Sequence, residues 1–547
     1  MNRSSARWEM IGLAALAAIV LLIPLYVVRQ LGETPPPLTK APPTFVGRDA
    51  CKSCHEPEFN SWLNSDHDKA MAVAADSTVL GDFNDAVFTS KGVTSRFFKR
   101  DGKFYVHTAG PGGEMADFEI AYTFGHEPLQ QYLVPFPGGR LQCLLIAWDT
   151  EEGRWFDLYP DTDIPTDDWL SWTGGGQTWN GMCAECHSTD LKTGFDPDTK
   201  TFNTTWFEID VSCEACHGPG SDHVAWAKIQ PMARPEVADF GLAVPTRNLP
   251  TADFVNLCAP CHSRRVILGD YDHAETHLLE NLVPSTLDQG LYHADGQILD
   301  EVYVYGSFVQ SKMFANDVTC RDCHDSHSLK LKHDGNDLCL QCHLAETYDS
   351  YDHHFHKKIH EGKPSDGALC VKCHMPEQAY MVIDERADHS LRVPRPDLSE
   401  KTGSPNACNP ADCHGDNSVA WSVEHYETWY GIARKPHYGT TLGAGRAGTP
   451  EARDELIRLA GDTLYPAMVR ATALSLLVNY PSPESTAAFA RALADEDPLV
   501  RYTAVGNVTA ASAEEYLELL APLLFDPCLL YTSPSPRDQR EHRVCRL

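Results

Sequence analysis

Basic residues are in short supply: 45 Lys and Arg stand against 76 Asp and Glu, a formal charge of −31 over 547 residues. Nucleic acid is excluded as a partner, because phosphate binding needs a basic face. A partner with a positive docking surface fits better. Spare cysteine is nearly absent too. Sixteen of the nineteen are consumed by eight short motifs, which leaves Cys143, Cys528 and Cys545, so disulfides do not organise the chain. Between residues 183 and 414 sustained helical periodicity is missing, and a segment so poor in amphipathic helix struggles to build a core from side chains alone.

What is plentiful is a pair of cysteines followed at once by histidine. Seven copies have the spacing Cys-x-x-Cys-His: Cys51, Cys54 and His55; Cys183, Cys186 and His187; Cys213, Cys216 and His217; Cys258, Cys261 and His262; Cys320, Cys323 and His324; Cys339, Cys342 and His343; and Cys370, Cys373 and His374. The eighth, Cys408, Cys413 and His414, has four residues between its cysteines. Two thiols on a short loop can each form a thioether to one vinyl group of a haem, and the next residue then puts an imidazole on the iron. The motifs therefore predict haem c, eight in number. Zinc is the alternative, since Cys-x-x-Cys units also build ribbons and knuckles. It does not require a histidine after every second cysteine. Cys408 and Cys413, taken alone, also read as an ordinary pair; ending in His414, they read as an eighth haem site.

Of 25 histidines, eight follow the motif cysteines and His542 lies in a suspect tail, so sixteen remain for eight distal positions. His67, His223, His327, His360 and His389 sit near a motif and are candidates to bind some haem iron, usually a neighbour's. His126, His273, His277, His293, His353, His354 and His356 are further spare histidines, whereas His107, His333, His425 and His437 read as surface or internally satisfied. Met313, just before the fifth motif, is a possible axial thioether or a packing residue. No catalytic residue is nominated by the sequence.

Residues 10–28 form the chain's long apolar run, with Arg3 and Arg7 before it. As a helix the run spans about 28 Å, close to the hydrocarbon thickness of a bilayer. It predicts a transmembrane anchor with residues 1–9 in the cytoplasm and the bulk of the chain in the periplasm. A cleaved signal peptide is the competing reading, but no small-x-small cleavage site follows. The Pro-rich stretch 29–46 reads as a spacer.

The multihaem region is expected over 47–435, with a small antiparallel β insertion at about 97–160, where aromatic and β-branched runs alternate and Gly138-Gly139 marks a hairpin turn. Cys143 falls inside one such run, as a buried apolar thiol. From 448 to 527 amphipathic helices take over, and PAMVRATAL at 466–474 aligns with PLVRYTAV at 498–505. That pattern resembles HEAT-type repeats, which stack into a solenoid and dock partner proteins. Residues 528–547 look like translated sequencing-adaptor sequence and are set aside. The fold class expected is thus mainly α and irregular, with a β insertion, a helical solenoid and one N-terminal membrane helix.

YTFGHEPLQQYLVPFPGGRLQ, WNGMCAECHSTDL, EIDVSCEACHGPGSDHVAWA, VTCRDCHDSHSL and CVKCHMPEQAYMVIDERADHSLRVPRPDL together resemble bacterial multihaem cytochromes c of the cytochrome c-552/c-554 domain class, over about 48–415. The resemblance implies haem c, periplasmic maturation and electron transfer, and leaves the substrate open. A nitrite-reducing relative uses Cys-x-x-Cys-Lys at its catalytic haem, and no such motif occurs here. Three functions follow as expectations. The first is electron transfer through closely spaced haems to a redox partner, such as a small basic electron carrier or a quinol-linked complex of the inner membrane. The second is an oxidoreductase acting on a small nitrogen or sulfur compound at one open haem. The third is a scaffold with structural haems.

Overall fold

The computed structural model describes residues 42–268, 278–507 and 517–525. The apolar run 10–28, most of the spacer 29–46, His273, His277 and the tail 528–547 lie outside the described residues. Among the described residues no helix is long and apolar enough to cross a membrane.

The described chain begins as a strap across the third motif. The backbone N–H groups of Val46, Gly47 and Gly220 all donate to the Glu214 carboxylate, at 2.7–3.0 Å. Glu214 is buried, and three backbone donors supply what its charge loses in leaving water. Arg48 fixes the strap further through Glu208 at 2.6 Å and through Asp210.

The β unit follows. A four-stranded antiparallel sheet runs β2 (Asn84–Ser90), β3 (Val93–Arg100), β4 (Lys103–Ala109) and β5 (Met115–Ile120). A second sheet has the order β1 (Met71–Val73), β6 (Tyr122–Phe124), β7 (Leu129–Phe136), β9 (Ile146–Asp149) and β10 (Arg154–Asp157), with β8 (Arg140–Cys143) also on β7. The unit therefore starts at Met71, well before residue 97, and it comprises two sheets rather than a small insertion. Its first strands escape the sequence pattern because β2 buries none of its residues, so no apolar alternation announces it. Phe97 stacks on Trp155 at 3.6 Å between centroids, and Phe83, Phe104 and Tyr132 close the core around them. The Gly138-Gly139 hairpin joins β7 to β8, with Phe136 opposite Arg140. At Gly139, φ is +73° and a Cβ would lie 2.1 Å from the Phe202 carbonyl, which excludes any other residue. Cys143 ends β8 fully buried, with Gln131 Nε2 3.1 Å from its sulfur.

From about 160 to 435 the chain forms helices of four to twelve residues, linked by turns and two-stranded hairpins. The last of these helices is α1 (Val419–Tyr430), and beyond it lie α2 (Tyr438–Arg446), α3 (Ala452–Gly461), α4 (Ala467–Leu477), α5 (Pro483–Ala492) and α6 (Pro498–Gly506). Leu442, Leu456, Val469, Leu474, Leu477 and Val500 are wholly buried among α2 to α6. The same core takes in Val283, Leu287, Tyr292, Ile298 and Val302. Arg446 donates to the Leu287 and Tyr292 carbonyls and Leu287 N donates to Thr472 Oγ1, so the helical end is welded to the motif-bearing region.

Candidate haem-binding sites

Each motif closes on itself through the backbone. His55 N donates to Cys51 O at 3.0 Å, His324 N to Cys320 O at 2.9 Å and His343 N to Cys339 O at 3.0 Å. In the wide eighth motif His414 N still donates to Cys408 O, at 3.2 Å. Its two additional residues are taken up in the loop, and histidine returns beside the first cysteine as in the other seven.

Among the described residues no three or more Cys, His, Asp or Glu side chains converge as zinc ligands do. The histidines instead face one another in pairs. Six motif histidines have an opposed imidazole, with ring centroids 6.0–6.5 Å apart: His55 with His223, His262 with His67, His217 with His327, His324 with His389, His374 with His353 and His414 with His356. Two metal–imidazole bonds of about 2 Å, each with its ring centre roughly 1 Å behind the nitrogen, sum to about 6 Å. The spacing fits one iron between each pair.

Hydrogen bonds set which ring nitrogen faces inward. Nδ1 of His324 donates to Leu329 O at 3.2 Å and Nδ1 of His374 to Arg392 O at 2.7 Å. On the opposing side, Nδ1 of His223 donates to Phe240 O, of His389 to Ala387 O and of His356 to His354 O. A carbonyl on Nδ1 fixes the tautomer that leaves Nε2 as the ligand atom. Burial, reinforced by neighbouring imidazoles, pushes His217 and His262 down to about 4, which keeps them neutral, the form that binds a metal.

Two motif histidines have no opposed imidazole among the described residues. His187 is half-buried with Nδ1 on Ala70 O at 2.9 Å, and Phe124 meets its ring edge-on at 5.4 Å. His126, two residues beyond Phe124, is held by Lys69 Nζ at 3.1 Å and lies 3.7 Å from Glu127. His343 is exposed and meets Tyr348 at 5.3 Å. His360 stands exposed on the hairpin Ile359–Pro364 and is not brought to a motif histidine. His389, also named near the seventh motif, faces His324, and His353 and His356 face His374 and His414. The sequence signal for them was three histidines within four residues, at 353, 354 and 356, one loop serving two adjoining sites.

The thiols show how the sites follow one another. The Cys51 thiol neighbours that of Cys213, Cys186 that of Cys261, Cys258 that of Cys320, and Cys339 that of Cys370. Cys258 also feels Cys216, Cys323 feels Cys342, and Cys373 feels Cys408 and Cys413. The motifs therefore run in space as first, third, fourth, fifth, sixth, seventh, eighth. The second branches off the fourth, at a junction where Arg265 pairs with Glu185 at 2.6 Å.

Residues 50–86 and 173–218 match the family model for cytochrome c554 and c-prime. The matched stretches hold the first three motifs, and the match points to covalently bound haem c at their cysteines. No curated protein matches the chain. Among solved structures, the outer cell wall cytochrome OcwA is 17% identical, with a TM-score of 0.49, over 85% of this chain and 99% of that one. The undecaheme cytochrome from the S-layer of Carboxydothermus ferrireducens is 16% identical, with a TM-score of 0.33, over 89% of this chain and 71% of that one.

Proposed function

We propose that this chain is a membrane-anchored periplasmic octahaem cytochrome c that passes electrons along its haems to a redox partner. Each haem c supplies a one-electron couple between ferric and ferrous iron. The observation that carries the reading is the set of six opposed imidazole pairs at 6.0–6.5 Å, which join the first motif to the histidine after the third and the fourth to the histidine after the first. Two nitrogen ligands hold an iron in one geometry while its charge changes. Residues 10–28 support the anchor, and the acidic balance supports a basic carrier as partner. HEAT-like helical repeats present the outer docking face.

The test is haem stoichiometry by pyridine haemochrome, with electron paramagnetic resonance for high-spin iron. Eight haems, at least six of them low-spin, are the expected result. Fewer than six low-spin signals would contradict the imidazole pairing.

A second reading rests on His187. It is half-buried, faces no described histidine, and is held through Nδ1 by the carbonyl of Ala70, the residue after Lys69, whose ammonium meets His126. This favours an oxidoreductase acting on a small nitrogen or sulfur compound at the branch. Cyanide or nitrite titration of the oxidised protein decides between the two. A full-occupancy spectral shift at one haem, abolished by His187→Ala, supports the branch as a reaction site, and no shift leaves it as part of the conductor.

A further inference from the structure

One short segment serves two haem sites. After the seventh motif the chain turns back in a hairpin, Glu377–Tyr380 against Asp384–Ala387, and residues 388–392 run on beside the motif. Asp388 N donates to Pro376 O at 3.0 Å and Arg392 N to His374 O at 3.1 Å. The His374 ring returns a bond, from Nδ1 to Arg392 O at 2.7 Å. Within the same segment His389 gives its Nδ1 proton to Ala387 O at 2.9 Å and faces His324 of the fifth motif at 6.5 Å. The segment thus presents one ligand of the fifth iron and, three residues on, holds the ring of a ligand of the seventh.

Side chains lock this segment in place. Asp388 and Asp295 are 1% and 2% exposed, and the Arg392 guanidinium lies 3.7 Å from each. Its Nε donates to Ser390 Oγ at 2.8 Å and its Nη1 to Asp295 O at 3.0 Å. Asp388 also accepts from Ser390 N at 2.8 Å and from Ile298 N at 3.3 Å, and Asp295 accepts from the Gln297 side-chain amide at 2.8 Å. Two buried carboxylates and a guanidinium are costly to take out of water, and such hydrogen bonds offset the cost in one geometry only. Asp295 and Ile298 stand on the stretch whose Leu287 and Tyr292 carbonyls Arg446 holds, so the lock is fastened to the helical core.

We propose that Arg392 and Asp388 are positioning residues shared by the fifth and seventh haem sites: by locking 388–392 they aim His389 at the iron bound to His324 and keep the Arg392 carbonyl on His374. One buried network then aligns two centres that the sixth motif separates in the chain. A carbonyl on Nδ1 orients a ligating imidazole and raises its basicity, and loss of such a partner costs about 10–100-fold in metal binding. Haem attachment at 320–324 and 370–374, part of the function proposed above, is the premise, and the masses of those two peptides check it separately.

The test is cyanide titration of the oxidised, full-length, haem-loaded protein, followed by electron paramagnetic resonance. His389→Met and His353→Met each alter one low-spin signal and so assign the fifth and seventh haems. Arg392→Met and Arg392→Lys are then compared with wild type. Neither new side chain has the planar fork that reaches Ser390 and Asp295 together. In both variants the fifth and seventh haems are expected to bind cyanide about tenfold more tightly, while the other signals keep their wild-type response. If neither Arg392 variant folds, Ser390→Ala, which removes the Nε acceptor without changing charge, decides. Arg395→Met, at the neighbouring ion pair with Asp397 at 2.6 Å, is expected to move neither signal. A lysine variant that matches wild type beside an altered methionine variant assigns the effect to charge and overturns the positioning role. So do unmoved signals with both haem peptides intact, a change at only one of the two haems, or an equal change at all of them. A missing haem peptide overturns the premise first.

Discussion

Two parts of this molecule hold their shape by different means. Around the fourth motif the packed apolar cluster is small, made of Ala259, Leu278 and Leu282. The buried apolar residues at 283–302 belong instead to the helical core. From Tyr438 to Gly506, five helices bury Leu442, Leu456, Leu474 and Leu477 completely. The helical end has a core made of its own side chains. The motif-bearing middle has imidazoles spaced for iron and thiols side by side, so its interior is built for macrocycles, and its stability is linked to their attachment.

The sharpest way to break this contrast is to remove one haem. The fourth motif neighbours the second, third and fifth through Cys258 and Cys261. Cys258→Ala with Cys261→Ala is expected to open most of 160–435 to limited proteolysis while 438–506 is cleaved last. Mass spectrometry of the fragments reads this directly. Uniform protection along the chain would mean that the middle has a core independent of haem.

In the helical end the large effects should come from side chains. Arg470 is buried, donates to Ala460 O at 3.3 Å and pairs with Asp495. Arg470→Ala strands Asp495 and is expected to cost about 3–5 kcal/mol. Leu474→Ala, at a wholly buried position, should cost about 2–5 kcal/mol. Both are measured by denaturant unfolding of the haem-loaded protein. Losses under about 1 kcal/mol at both sites would show that the helical end also leans on the haems.

How much of this was legible in sequence follows the same division. The motifs announce themselves because thioether chemistry fixes the spacing, and the helices of 448–506 because Pro466 and Pro498 start two of them before similar apolar runs. The pairing of histidines was not legible. His223 follows the third motif yet faces His55 of the first, and His67 follows the first yet faces His262 of the fourth. Such pairings cross between motifs that only the fold brings together. His360 was drawn in by its closeness to the seventh motif in sequence, but its hairpin points it outward. His353 and His356 gain their places from α1, where Tyr430 grips the His353 carbonyl and Trp429 stacks on Phe355 at 4.9 Å.

The smallest expected effect compares one kind of cap in the two regions. Asp497 accepts from Leu499 N at 2.9 Å and caps α6. Asp497→Ala should cost about 1 kcal/mol, whereas Asp497→Asn keeps an acceptor. Burial, with Asp495 adding to it and Arg470 opposing, raises the Asp497 carboxyl above its ordinary value. A group raised in the folded state binds its proton more tightly there than in the unfolded chain, so its charge opposes folding once the pH exceeds the ordinary carboxyl range. Asp497→Asn should therefore match wild type near pH 4 and gain on it as pH rises, a trend that denaturant midpoints at several pH values would resolve. In the middle, Asp322 forms a capping box with Thr319 on the turn of the fifth motif. Asp322→Ala should cost less than Asp497→Ala, because two thioethers hold that turn whatever its cap. The reverse order would mean that the caps, and not the haems, keep the motif turns in place.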